Sequence, residues 1–101
     1  MRLTQYQVEI LKSTAIDVFG PQSGLVLFGS RVDDSLRGGD IDLYITGFNR
    51  PAEQQLDAKL LFLVKVKRKI GEQRIDLVFA PQPNQTLLPI HRIAAHTGIA
   101  L

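Results

Sequence analysis

Apolar residues recur at helical spacing through Val8, Leu11, Ala15 and Val18, and the pattern stops at Gly20-Pro21. Thr4 followed by Gln7 has the form of a capping box, so a first helix is predicted over about residues 5–19. After Gly24 the continuous run Leu25-Val26-Leu27-Phe28 has the length and bounds of a buried strand, ending at Gly29-Ser30. A short turn or helix from about Arg31 to Leu36 then leads through Arg37-Gly38-Gly39 to a second strand, Asp40-Ile41-Asp42-Leu43-Tyr44-Ile45. From Ala52 the positions Leu56, Leu60, Leu63, Val66 and Ile70 follow helical periodicity until Gly71, which predicts a long central helix. Arg74-Ile75-Asp76-Leu77-Val78-Phe79 fits a third strand closed by Pro81, and after a loop through Pro83 and Asn84 a last helix is predicted from Pro89 to Gly98. Ile90, Ile93 and Ala94 would form its buried stripe. This order of elements predicts a small α/β (α+β) fold, a mixed sheet with helices packed on it, as one domain over residues 1–101.

The polar positions inside these strands carry the chemical information. Side chains alternate along a strand, so Asp40 and Asp42 point to one face while Ile41, Leu43 and Ile45 point to the other. Carboxylates two residues apart on a strand stand roughly 6–7 Å apart, close enough to share two Mg²⁺ ions about 3.5–4 Å apart. Asp76, between Ile75 and Leu77 in the third strand, adds a third carboxylate. Three carboxylates facing one spot repel without cations, so the trio is expected to bind Mg²⁺. Gly29-Ser30, at the end of the first strand, leaves backbone N–H groups and a hydroxyl to hold phosphate oxygens, and Arg31 adds charge. Singly, a Gly-Ser is a turn and an Asp-x-Asp an ordinary strand end; their spacing, with Asp76, points to metal-dependent phosphoryl transfer.

Composition narrows the alternatives. Cysteine is absent, which excludes disulfides, thiol nucleophiles and thiolate zinc sites and leaves oxygen or imidazole ligands for any metal. Twelve basic against ten acidic residues leave a formal charge of +2, too little bias to indicate a nucleic-acid-coating protein. The local excess Lys65, Lys67, Arg68 and Lys69 falls at a predicted helix end, where cations complement the helix dipole. The longest uninterrupted apolar run, Leu60 to Val64, is too short to span a membrane, and no secretion signal is evident at the N-terminus; a cytoplasmic location is the expectation.

The segment Gly29-Ser30-Arg31 through Asp40-Ile41-Asp42-Leu43, with Asp76 in a later strand, resembles the signature of the DNA polymerase β-like nucleotidyltransferase superfamily. Within it, the short chain and Arg74-Ile75-Asp76-Leu77-Val78 resemble the minimal nucleotidyltransferases, antitoxin partners of HEPN-domain toxin ribonucleases. The resemblance implies the nucleotidyltransferase fold, two Mg²⁺ ions on Asp40 and Asp42, Asp76 supporting the metal that activates the attacking hydroxyl, and Gly29, Ser30 and Arg31 against the triphosphate of ATP or another NTP. It further implies an enzyme that transfers a nucleotidyl group, AMP from ATP, to a Tyr of a HEPN toxin. Many relatives carry a Ser before the first carboxylate where this chain has Gly39. So small a core leaves little room for an acceptor-binding domain, so the acceptor is expected to come with a partner.

Two other readings compete: a binding module that blocks its partner sterically, and a small-molecule transferase whose site is completed by homo-oligomerisation. Of the remaining polar residues, His91 and His96 are assigned solvent or interface roles, and Asp33, Asp34 and Arg37 turn or solvated roles. Tyr44 shares the Asp42 face, where packing at the sheet's rim is the commoner outcome and base stacking the alternative. Leu87, Leu88 and Ile99-Ala100-Leu101 serve either as a partner surface or as core packing.

Overall fold

A computed structural model of the chain describes residues 3–29, 40–81 and 98–101. Its described elements are α1 (Gln5–Phe19), β1 (Gly24–Phe28), β2 (Ile41–Thr46), α2 (Ala52–Ile70), β3 (Ile75–Phe79) and β4 (Ile99–Ala100). The strands form one mixed sheet in the order β3-β2-β1-β4, in which β2 and β3 are parallel and the other neighbours antiparallel. With two helices packed on this sheet, the fold is α+β, as the pattern predicts.

The helix boundaries follow from their caps. Thr4 Oγ1 accepts from the Gln7 N–H at 3.1 Å while Gln7 Oε1 accepts from the Thr4 N–H at 3.0 Å, so both halves of the predicted capping box form. Removing this cap with Thr4→Ala is expected to lower stability by about 1 kcal/mol in chemical denaturation, with the native fold retained. At the far end of α2, Gly71 takes φ +84°, a conformation that ends a helix at little cost only for glycine, and Lys67, Arg68 and Lys69 occupy the last turn, where cations favour the dipole.

The main core lies between one sheet face and both helices. Leu11, Ala15 and Phe19 of α1 and Phe62 and Val66 of α2 meet Leu25, Leu27, Ile41, Leu43, Ile45, Ile75 and Leu77 of the strands. The alternation in β2 therefore runs as predicted, with Ile41, Leu43 and Ile45 inward. Phe19 makes edge contacts with Phe48 and Phe79, at centroid distances of 5.3 and 5.7 Å, closing the end of the core where β2 and β3 finish. A parallel pair needs a crossover, and α2 supplies it, returning the chain from the end of β2 to the end of the sheet where β2 began.

Two expectations are corrected. The buried face of α2 is centred on Phe62 and Val66, both 0% exposed, whereas Leu56 and Leu60, assigned to the apolar stripe, are 55% and 52% exposed. Val66, Leu63 and Ile70 of the predicted stripe do pack in or against the core, so the periodicity finds the C-terminal part of the buried face and misplaces Leu56 and Leu60. Gly98 is followed by a strand: Val26 and Leu27 of β1 pair with Ala100 and Ile99 of β4, the Leu101 N–H donates to Leu25 O at 2.9 Å, and Leu101 packs against the main core. Of Ile99-Ala100-Leu101, Leu101 takes the packing role, while Ile99 and Ala100 pair with β1 and Ala100 stays exposed. The turn or helix over 31–36, the last helix with Ile90, Ile93 and Ala94, and Pro83, Asn84, Leu87, Leu88, His91 and His96 lie outside the described residues.

Candidate active site

The carboxylates gather at one end of the sheet, where β1 finishes and β2 and β3 begin. Register accounts for this. Phe28 at the end of β1 is paired with Asp42, and Asp42 is paired across the parallel ladder with Asp76. Directly paired residues share a face, so Phe28, Asp42 and Asp76 form a row on the sheet face away from the main core, with Asp42 in the middle. Asp40 comes immediately before β2 and is half-buried, as is Asp42, while Asp76 on its outer strand is exposed. The Ile41 N–H donates to Arg74 O at 2.9 Å, tying the starts of the two carboxylate-bearing strands together.

Behind the row the sheet face is apolar. Phe28 and Tyr44 are buried there as a second small cluster, with Val26, Val78 and Ala80 packed against them. Tyr44 thus takes the packing role, and burial pushes its phenol above the usual range. Phe28 is a member of the site that its place in an unbroken apolar run did not reveal. The alternation gives the signal in retrospect, because Leu25 and Leu27 fill the main core and leave Phe28 on the carboxylate side.

The same surroundings act on Asp42. Burial is the largest cause raising its pKa above the ordinary carboxylate value, followed by the charges of Asp76 and then Asp40. Asp42 is thus the carboxylate on which burial and both neighbouring charges act. Gly29 contributes by having no side chain. It sits at φ +77°, and a Cβ there would overlap the Asp42 carboxylate, so the bare backbone at the end of β1 is what lets that carboxylate occupy its place. The sequence pattern assigned Gly29 to close approach by phosphate; in the structure the group that approaches closely is Asp42.

Among the described residues, no three carboxylates or imidazoles are grouped closely enough to hold a metal ion together, Asp40, Asp42 and Asp76 included. Asp42 and Asp76 are neighbours across the ladder, and Asp40 lies two residues before Asp42, just ahead of the same strand. That donor set suits Mg²⁺, a hard cation that is commonly held by one or two carboxylates and completed by water and substrate phosphates. Repulsion within the row and the burial of Asp42 are what a cation would relieve. Ser30 and Arg31, predicted to hold phosphate, lie outside the described residues, as do Asp33, Asp34, Arg37 and Gly39. A recess of about 410 Å³ between the helices, lined by Ser13, Thr14, Asp17, Lys65, Arg68 and Lys69, lies on the opposite side of the sheet and takes no part in this site. There Lys65 pairs with Asp17 at 2.6 Å; both side chains are solvent-exposed, so the ion pair contributes little.

No helix of the described residues is long and apolar enough to cross a membrane. Comparison of the sequence with models of protein families and with curated proteins gives no match in either case.

Proposed function

We propose that this chain is a Mg²⁺-dependent nucleotidyltransferase of the polymerase β-like kind, which transfers AMP from ATP to a hydroxyl of a HEPN-domain toxin and acts as its antitoxin in the cytoplasm. The observation that carries the reading is the register that puts Asp42 beside Asp76 at the sheet end where Gly29 closes β1 and Asp40 opens β2. A sheet needs no carboxylate row bordering an apolar cluster for its stability, and Asp42 is strained there. Such strain suits a group that works with a cation.

When bound, Mg²⁺ would neutralise charge on the triphosphate and on the departing pyrophosphate. Asp42 and Asp40 would hold it, and Asp76, the most exposed of the three, would support it where the acceptor hydroxyl is activated. Gly29 keeps the Asp42 carboxylate in place, and Ser30 and Arg31, which follow it directly, are assigned to the triphosphate. The acceptor oxygen bonds to the α-phosphorus as the bond from that phosphorus to the bridging oxygen breaks. Pyrophosphate leaves, and the hydroxyl proton passes to water. No side chain of this chain need become covalently modified.

The test separates nucleotidyl from phosphoryl transfer. The protein is incubated with Mg²⁺, a lysate of its host cell, and ATP labelled at either the α- or the γ-phosphate. Label from the α position alone on a protein band is expected. Transfer of γ label would make the protein a phosphotransferase, α label on RNA or a small molecule would replace the toxin as acceptor, and absence of both would favour a steric binding module.

A further inference from the structure

The second apolar side of α2 has a charge pattern that fits one occupant. At about 100° per residue, Glu53, Leu56, Leu60, Val64 and Lys67 fall within about 40° of the direction of Leu60, on the side of the helix away from Phe62 and Val66. Leu56, Leu60 and Val64 are 55%, 52% and 49% exposed, with Leu61 beside them at 49%. Along the axis the stripe reads acidic, apolar, basic: Glu53 is in the first turn of α2, and Lys67 and Arg68 are in the last.

We propose that this face of α2 binds the same face of a second copy of the chain, with the two helices antiparallel about a two-fold axis at Leu60. Such an axis brings each position opposite the one equally far on the other side of Leu60. Leu60 then meets its own copy, Leu56 meets Val64, and Glu53 meets Lys67, so along the central stripe apolar faces apolar and each acidic end faces a basic end, while Leu61 at the edge falls opposite Lys59. An isologous interface requires this self-complementarity. A parallel pairing would instead set Glu53 against Glu53 and Lys67 against Lys67. A recess of about 420 Å³ lined by Val64, Lys67, Arg68 and Glu72 lies at the basic end of the stripe, where the partner's Leu56 and Glu53 would enter. A pairing along one helix is smaller than the roughly 1,200–2,000 Å² of stable complexes, so the dimer is expected to dissociate in the micromolar range. The proposal is independent of the transfer reaction.

Sedimentation velocity of the whole chain tests it. At about 100 µM a species of twice the 11.3 kDa chain mass is expected, dissociating on dilution. Leu60→Glu, which sets two carboxylates against each other on the axis, should leave a monomer with an unchanged circular-dichroism spectrum and, at concentrations where the wild type is also dissociated, an unchanged melting temperature. Glu53→Lys and Lys67→Glu should each weaken dimerisation about tenfold, and the two together should restore it. The chain has no cysteine, so oxidised Leu60→Cys should give a disulfide-linked dimer, whereas Glu9→Cys on α1 should not. A wild-type monomer at about 100 µM, including one whose α2 face is covered only when a different protein is added, would overturn the proposal. So would a Leu60→Glu variant that still dimerises, or a charge-swapped double variant weaker than either single one.

Discussion

Asp42→Asn is expected to lose nucleotide transfer by at least about 10²–10³-fold while melting at a higher temperature than the wild type in the absence of divalent cations. The two effects have one cause. Burial, with the charges of Asp76 and Asp40, makes the ionised form of Asp42 unfavourable in the folded protein, which is why its pKa lies above the unfolded value. For an acid whose folded pKa is raised, the stabilising contribution is complete below the unfolded pKa and is lost as pH rises through the folded one. At neutral pH the wild type therefore carries an ionised carboxylate that the fold disfavours, and the neutral, isosteric asparagine does not. The difference in melting temperature between the two proteins should shrink as pH falls to the ordinary carboxylate range and grow above it. Adding Mg²⁺ and a non-hydrolysable ATP analogue should stabilise the wild type, by about 2.7 kcal/mol at a hundredfold excess over Kd, and leave the variant unaffected. Thermal melts across pH, with and without these ligands, check each part. A variant less stable than the wild type at pH 7 would mean that Asp42 serves the fold rather than the reaction.

Gly29→Ala is expected to destabilise the protein by about 2–4 kcal/mol and to lower transfer with it. Placing a side chain at φ +77° accounts for about 1–2 kcal/mol, and displacement of the Asp42 carboxylate by the new Cβ for the rest. The two parts separate in a double-mutant cycle. Against Asp42→Ala, where no carboxylate occupies the space, Gly29→Ala should lose only the backbone part, about 1–2 kcal/mol. Denaturant unfolding of the four proteins measures this. Equal destabilisation in both backgrounds would show that Gly29 is required only for its backbone conformation and does not seat Asp42.

Local features of the fold were legible in the sequence and long-range ones were not. The capping box at Thr4 and Gln7 and the glycines at positions 20 and 71 fixed the helices to the observed residues, because caps act over one turn. Alternation in β2 separated Ile41, Leu43 and Ile45 from Asp42, because pleating is local too. Pairing is not local. Nothing in the spacing of Asp42 and Asp76, which are separated by the whole of α2, states that they are register partners in a parallel ladder. The two-residue strand β4 was missed for the same reason, since its only evidence is a β1 edge far away in sequence. In α2 the predicted stripe held Leu63, Val66 and Ile70 correctly but included the exposed Leu56 and Leu60 and omitted Phe62, because leucines lie on two sides of the helix. Of the candidate site, Asp40, Asp42, Asp76 and Gly29 could be named from the sequence. What escaped it was that Phe28 and Tyr44 back the carboxylates and that Gly29 makes room for Asp42, since both depend on neighbours brought together by the sheet.

The measurement that bears most directly on the account is transfer of α-phosphate label from ATP to protein in Mg²⁺ and host lysate, run side by side for the wild type and Asp42→Asn. Wild-type label on a protein band that disappears with chelator and with Asp42→Asn is the predicted result. Label that persists undiminished in Asp42→Asn would contradict a transfer reaction run by this carboxylate row.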